Sequence, residues 1–572
     1  MVCGVWSRWR AEIAAGVVAA VLGVTYLLLP RMGTDLAAQV ARSTFFADHG
    51  YLPIDLRWYA GVDQLGYSLL SQPVMAVIGV RVTGAIALVA TSIALAALLR
   101  RAGARRPLLG ALFGAACIAG NLLSGRVTYG LGVLFGVTAL LLLTYRRLRW
   151  AAAFLALAAS ATSPVAGLFL GLAGVALLAS RRVFDGLLVA VPAAVPLALT
   201  VALFGDGGWM NISHQDALRA IVTSLVVAAV VPWRPVRVAG VLSAAGVLAS
   251  ALVHTPVGLN ATRLAVMFAL PVLAGHAAMP RLHRAKAPDP GASTPDPEPP
   301  ATADYRTWTQ RSGTADSARP EPAADTDATV AAPSRWRWWH PVALVELLLV
   351  VCWWQPPVVV SDVRDIGNPT ADAAYFAPLR VRLAQETLTG RVEIPPTRDY
   401  WEAAYLGDVP LARGWLRQAD IERNPLFFTT LPGAPGTGVA LTADSYSAWL
   451  SEQAVQFVAV PSAELSWPGR DEAALIAAGL PYLTGIWSDT HWRLYAVVNP
   501  QPIVAAPAIL VSQTAAALTF DTPTTGEVAI RVRYYRWLKA TGGAAVVATG
   551  DWTLVRITKP GRYTLTSQVF RG

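Results

Sequence analysis

The chain has 572 residues, 54% of them hydrophobic and 14% charged, with a formal net charge of +10. That charge is nearly all arginine, spread in short clusters between apolar runs where membrane orientation and anionic headgroups account for it, so nucleic acid is excluded as a partner. Of three cysteines, Cys117 and Cys352 lie in apolar runs and Cys3 at the N-terminus, which excludes disulfides and thiolate metal sites from the C-terminal region; the seven histidines show no metal-ligand spacing.

Eleven apolar stretches read as membrane helices, near 11–30, 82–99, 107–124, 130–145, 149–162, 164–180, 185–204, 216–233, 238–254, 262–279 and 341–360. A helix needs roughly 17 to 25 residues to cross the hydrocarbon layer. Between the fifth and sixth, Ser163-Pro164 either turns a very tight hairpin or breaks a single helix. The first stretch reads as a retained helix and not a signal peptide, because no small-residue cleavage site follows Leu29 and Pro30. With eleven spans, the clusters Arg8/Arg10, Arg100–Arg106, Arg146–Arg149, Arg181/Arg182, Arg234/Arg237, Arg281/Arg284 and Arg335/Arg337 share one side. The positive-inside bias makes that side cytoplasmic and turns residues 361–572 outward.

These elements define a polytopic α-helical membrane protein with five regions. Residues 1–284 form a block of about ten helices carrying a first outer loop at 31–81, and 335–360 hold the last helix, flanked by the tryptophans of RWRWWHP and CWWQPP. Between them, 285–334 is rich in Pro, Ala, Asp, Thr and Ser, too poor in large aliphatics to order itself, and reads as a disordered cytoplasmic linker. Residues 361–500 mix helical stretches with short strands, an α/β layout, while 501–572 alternate as in a small β-sandwich.

The first outer loop concentrates polar groups. Asp35 follows the first span by five residues and opens the helical stretch DLAAQVARSTFF. A carboxylate at that depth either serves as a base toward a hydroxyl or caps the helix after Thr34. In the outward region, Trp401, Glu402, Tyr405, Arg413, Trp415, Arg417, Asp420 and Asn424 crowd into two dozen residues. Aromatic faces beside forked polar groups suit a sugar surface; an amphipathic core edge with paired charges produces the same pattern.

An outward acidic residue after the first span, a helix in the first outer loop, ten further spans and a mixed outward domain together resemble the GT-C superfamily of polyprenyl-phosphate-sugar-dependent glycosyltransferases, which includes mannosyl- and arabinosyltransferases of the actinobacterial cell envelope. The resemblance implies that Asp35 takes the proton of an acceptor hydroxyl as it attacks the anomeric carbon of a lipid-phosphate sugar, with inversion. Many members carry an adjacent acidic pair in this loop; here Leu36 follows Asp35. Asp48 and Asp55 therefore stand as alternative bases, and dependence on a divalent metal stays open. The phosphate leaving group needs cationic stabilisation, which arginine supplies. Outward arginines are few: Arg42 and Arg57 in the first loop, Arg126 in GRVTYG, and Arg263 in GLNATRLAVMF. Arg263, Arg126 and Arg57 are the donor-phosphate candidates, although an arginine at the outer end of a span also snorkels to lipid phosphate. Trp58, His214, Glu402 and Trp415 are acceptor-side candidates.

The expected activity is transfer of a sugar from a polyprenyl-phosphate donor to a cell-envelope glycan or glycolipid on the outer face of the plasma membrane, with no cofactor beyond the lipid-linked sugar. Two other classes compete. A transporter or lipid flippase accounts for the spans and the break at SATSPVAG, but the spans carry almost no midplane charge. A non-catalytic envelope-assembly protein accounts for the outward region.

Overall fold

The computed structural model describes residues 2–205, 207–278, 339–358 and 360–569. Residues 1–278 and 346–572 form one compact unit; of the other, 279–345, only 339–345 are described, inside the helix Trp339–Trp354. The expected linker at 285–334 lies outside the described residues.

The first half is helical: α1 Val2–Leu28, α2 Leu36–His49, α3 Ser71–Ile78, α4 Val80–Arg101, α5 Pro107–Leu123, α6 Val127–Leu143, α7 Arg149–Thr162, α8 Pro164–Ala179, α9 Val183–Phe204, α10 His214–Val230, α11 Arg234–Leu252, α12 Arg263–His276 and α13 Trp339–Trp354. Among the described residues, five apolar segments are long enough to cross a membrane by length and composition: Trp9–Leu28, Val80–Arg101, Val183–Phe204, Arg234–Leu252 and Gly258–His276. Large side chains such as Val21, Phe154, Val201 and Leu252 face outward from the helices, a surface suited to lipid. The chain is an α-helical membrane protein. At Ser163 the backbone is extended and the hydroxyl accepts from the Ala166 amide, so two helices meet here and not one kinked helix.

Beyond α13 come short helices, α14 Val360–Arg364, α15 Ala377–Leu383, α16 Glu402–Tyr405, α17 Arg417–Arg423, α18 Ala443–Glu452 and α19 Trp467–Ala477. With the loop strands β1 Ile54–Asp55 and β2 Val62–Asp63, the strands continue as β3 Arg391–Glu393, β4 Val455–Pro461, β5 Leu483–Ser488 and β6 Trp492–Val497, in the sheet order β3-β4-β6-β5 with β3 parallel to β4. Two antiparallel sheets follow, β10-β13-β8-β7 and β11-β12-β9, built from β7 Ile509–Gln513, β8 Ala517–Thr522, β9 Gly526–Arg533, β10 Leu538–Ala540, β11 Ala545–Thr549, β12 Trp552–Ile557 and β13 Gly561–Ser567. Alternate residues Leu518, Phe520, Ile530, Val555 and Leu565 turn inward to fill their core.

The segment 31–81 is an integral part of the region beyond α13. Leu36, Ala41, Trp58 and Val62 share a core with Phe376, Trp401, Phe457 and Trp492, while Ile54 and Leu56 enter the core of the two antiparallel sheets. The Leu56 amide donates to Ala515 O at 2.8 Å. Burial on this scale fixes the segment against these C-terminal cores and with it whatever α2 carries at its start.

Part of the aromatic and charged cluster at 401–424 is core. The Arg413 guanidinium holds Asp420 at 2.9 Å, Glu472 at 3.0 Å and Glu393 at 3.6 Å, all buried. Burial pushes Glu393 well above the usual carboxylate range and Glu472 up to about 7, so the group of three carboxylates around one cation retains a proton.

Candidate functional site

Three segments far apart in sequence meet at Asp35. Gly33 sits at φ +103° with its backbone against the turn between α5 and α6, and a Cβ there would lie 2.4 Å from Leu123 O. Only glycine allows that approach. The Asp35 amide then donates to Ser124 O at 3.1 Å, which brings Arg126, at the start of α6, alongside. Asp35 occupies the N-cap position of α2, yet its carboxylate makes no capping hydrogen bond. Instead Oδ2 accepts from Arg126 Nε at 3.1 Å and from Arg263 Nη2 at 3.3 Å. Arg263 is the first residue of α12, and its guanidinium lies 5.3 Å from the Tyr129 ring centroid.

These groups line a cavity of about 420 Å³, together with Arg398, Tyr400, Trp415 and Arg417 of the region beyond α13. The Trp415 indole donates to Thr34 O at 2.9 Å, tying that region to the Asp35 loop. Five arginines (Arg126, Arg219, Arg263, Arg398, Arg417) face three aspartates (Asp35, Asp216, Asp362), so the cavity is positive and suits an anion. Asp362 on α14 is buried, accepts from the Ser124 hydroxyl at 2.6 Å, and is held above the ordinary carboxylate range chiefly by burial. Asp365, one turn on, accepts from the Gly33 amide at 2.7 Å. Its neighbour Asp399 is pushed up to about 9 by burial and by the Asp365 carboxyl beside it.

Beside this cavity lies an apolar groove of about 790 Å³ between α8, α9 and α11, reaching Thr255, Val257 and Ala261. The 3-10 helix Gly258–Thr262 divides the two, Ala261 lining the groove and Thr262 and Arg263 the cavity.

Asp35, Arg126, Arg263 and Trp415 are thus brought together from the sequence candidates. Others are not. Arg57 is buried in a bidentate pair with Asp55, Nη2 to Oδ2 at 2.7 Å, and also donates to Ala41 O, so neither the arginine as a phosphate ligand nor Asp55 as a base reaches the cavity. Asp48 is exposed near the far end of α2. Trp58 is wholly buried in the core it shares with Phe376, Trp401 and Trp492. Glu402 is buried, accepts from the Thr397 hydroxyl and is pushed up to about 7 by burial. His214 is exposed at the start of α10, its amide bonded to Gly433 O at 3.0 Å. Arg42 stacks between Trp58 and Tyr67 and donates to Gln64 at 2.9 Å. Asp362 was missed, although it carries the signal that singled out Asp35, a carboxylate just beyond the end of an apolar helix. Arg417, from the cluster at 401–424, also lines the cavity, whereas Arg219 and Arg398 carry no such local mark. No group of three or more His, Cys, Asp or Glu side chains placed to hold a metal occurs among the described residues.

No family model matches the sequence, and no curated protein matches it. Among solved structures the chain is similar to the arabinofuranosyltransferase AftD from Mycobacteria, with 16% identity and a TM-score of 0.41 over 90% of this chain and 41% of that one. It therefore spans about two fifths of the AftD chain. It is also similar to ArnT from Cupriavidus metallidurans in the apo state, with 14% identity and a TM-score of 0.38 over 88% of this chain and 100% of that one. For ArnT bound to undecaprenyl phosphate the values are 15% and 0.38, over 86% and 98%.

Proposed function

We propose that the chain is an inverting glycosyltransferase that moves a sugar from a polyprenyl-phosphate donor to a glycan or glycolipid acceptor of the cell envelope, on the outer face of the plasma membrane. One observation carries the reading: a carboxylate and two arginines converge in a positive cavity beside an apolar groove. Arg126 and Arg263 hold the donor phosphate, and the groove takes the isoprenoid tail. Asp35 receives the proton of the acceptor hydroxyl while its oxygen bonds to the anomeric carbon. The bond from that carbon to the phosphate oxygen breaks with its electron pair on the phosphate, where the arginines stabilise the charge. A single displacement inverts the centre, and the phosphate leaves unprotonated, so one base suffices without a cofactor. Trp415 and the other outward side chains of the cavity face the acceptor. The arginine clusters between helices keep the N-terminus cytoplasmic and residues 361–572 outside.

The test is transfer or slow hydrolysis of a panel of polyprenyl-phosphate sugars by the purified protein in lipid nanodiscs, with a cell-envelope acceptor extract. Wild type turns over one donor, while Asp35→Asn and Arg263→Ala lose it by about 10²-fold or more. Full turnover by a folded Asp35→Asn removes Asp35 as the base. If wild type turns over no donor, the flippase and assembly readings replace this one.

A further inference from the structure

Arg126 and Arg263 place their nitrogens on the same oxygen of Asp35, at 3.1 and 3.3 Å. Among the described residues the other oxygen meets the Thr34 hydroxyl, at 3.5 Å, and no guanidinium. Among the described residues neither arginine forms an ion pair with a second carboxylate, although Asp362 stands close enough to Arg126 to feel its charge. Around them stand the Tyr129 ring beneath Arg263, Asp362 on α14 and the three remaining arginines of the cavity. A lipid phosphate bound by Arg126 and Arg263 requires the same N–H groups that Asp35 engages, and a carboxylate oxygen aimed at two guanidiniums has little left for a hydroxyl proton. Phosphate and carboxylate also repel if both crowd onto the pair.

We infer that Asp35 and the donor phosphate compete for Arg126 and Arg263, so that donor binding is what releases Asp35 to act as a base. The inference rests on the donor chemistry proposed above and adds to it an order of events. The phosphate displaces the carboxylate from the arginines, Oδ2 turns to the acceptor hydroxyl, and transfer follows. An acceptor that arrives first meets a carboxylate already engaged. The competing contact is part of the binding cost of the donor, and removing it has a sign that a simple base does not share. Substituting Asp35 should tighten phosphate binding while transfer is lost.

The experiment titrates decaprenyl phosphate and, separately, decaprenol, which has the same tail without the phosphate, into nanodiscs holding wild type, Asp35→Asn, Asp35→Ala or Asp35→Asn/Arg263→Ala. The dissociation constants are read by native mass spectrometry. The expected result is roughly five- to thirtyfold tighter phosphate binding by both single variants, from two partly exposed ion pairs. Decaprenol binding stays as in wild type, which also reports that the variants are folded, and the gain disappears in the double variant. Unchanged or weaker phosphate binding in both single variants, with decaprenol binding intact, overturns the competition while leaving the donor reading in place. Equal binding of decaprenyl phosphate and decaprenol by all four proteins overturns the donor reading, and the inference falls with it.

Discussion

Gly33→Ala tests whether backbone contact between two loops is what assembles the site. A Cβ at residue 33 would lie 2.4 Å from Leu123 O and 2.6 Å from both Gly125 N and Ser124 C. These are backbone atoms of a turn between two packed helices and cannot swing aside as a side chain does. Relief to ordinary contact demands that the loops part by roughly 1 Å. That movement stretches the bond from the Asp35 amide to Ser124 O, now 3.1 Å, and the contact of Asp35 with Arg126, also 3.1 Å. It also opens the bond from the Gly33 amide to Asp365. Holding alanine at φ +103° adds about 1–3 kcal/mol of strain. A displacement of this size at reacting groups costs about 10²-fold in rate. Donor turnover and thermal unfolding are measured together, with Gly50→Ala as the reference. Gly50 also has a positive φ, +64°, but a Cβ there meets nothing within 4 Å, so it carries strain without displacement. The expected outcome is a lower melting temperature in both variants and lost turnover in Gly33→Ala alone. Equal turnover in the two variants would falsify the view that this close approach positions Asp35.

Arg126→Ala should keep its melting temperature and lose donor turnover by about 10²–10³-fold, while Arg57→Ala should do the reverse. Removing Arg57 strands the buried Asp55 carboxylate at a cost of about 3–5 kcal/mol, yet donor affinity of the folded fraction stays at the wild-type value; a loss of affinity there would return Arg57 to the site. Glu402 supplies a pH test. Its folded pKa, pushed up to about 7 by burial, exceeds that of an unfolded glutamate, so above about pH 4.5 the fold keeps a proton that the unfolded chain releases, and the contribution of Glu402 to stability declines as pH rises to about 7. Glu402→Gln should therefore flatten the melting temperature between pH 5 and 8 and raise it at pH 8, by an amount corresponding to about 3 kcal/mol at most. Parallel curves for the two proteins would show that Glu402 is ionised in the fold.

Helices and their approximate ends follow from residue order, because each depends on neighbours within a few turns. The apolar runs, the arginines between them, Pro107 and Pro164 at helix starts and Ser163 as a cap are all local signals. Asp35 was legible for the same reason, since its distance from the end of a span is a local quantity. Its alternatives were not separable in that way. Capping and catalysis call for the same residue at the same position, and only the direction of the carboxylate, away from the amides of α2 and toward two guanidiniums, shows that it does not cap.

Nor does residue order distinguish Arg57 from Arg126. Both lie in polar segments between apolar runs. Arg57 closes onto Asp55 two residues away inside a core, whereas Arg126 meets Asp35 across 91 positions and Arg263 meets it across 228. The aromatic cluster at 401–424 divides likewise, with Arg413 and Asp420 sealed in the core and Trp415 on the cavity wall. Periodicity along the chain decides which residues turn inward on an element, because that is set by the element's own geometry. Which inward groups share a cavity depends on how distant elements pack, and here that was decided by the backbone contact at Gly33 and by the burial of the segment 31–81 in two C-terminal cores.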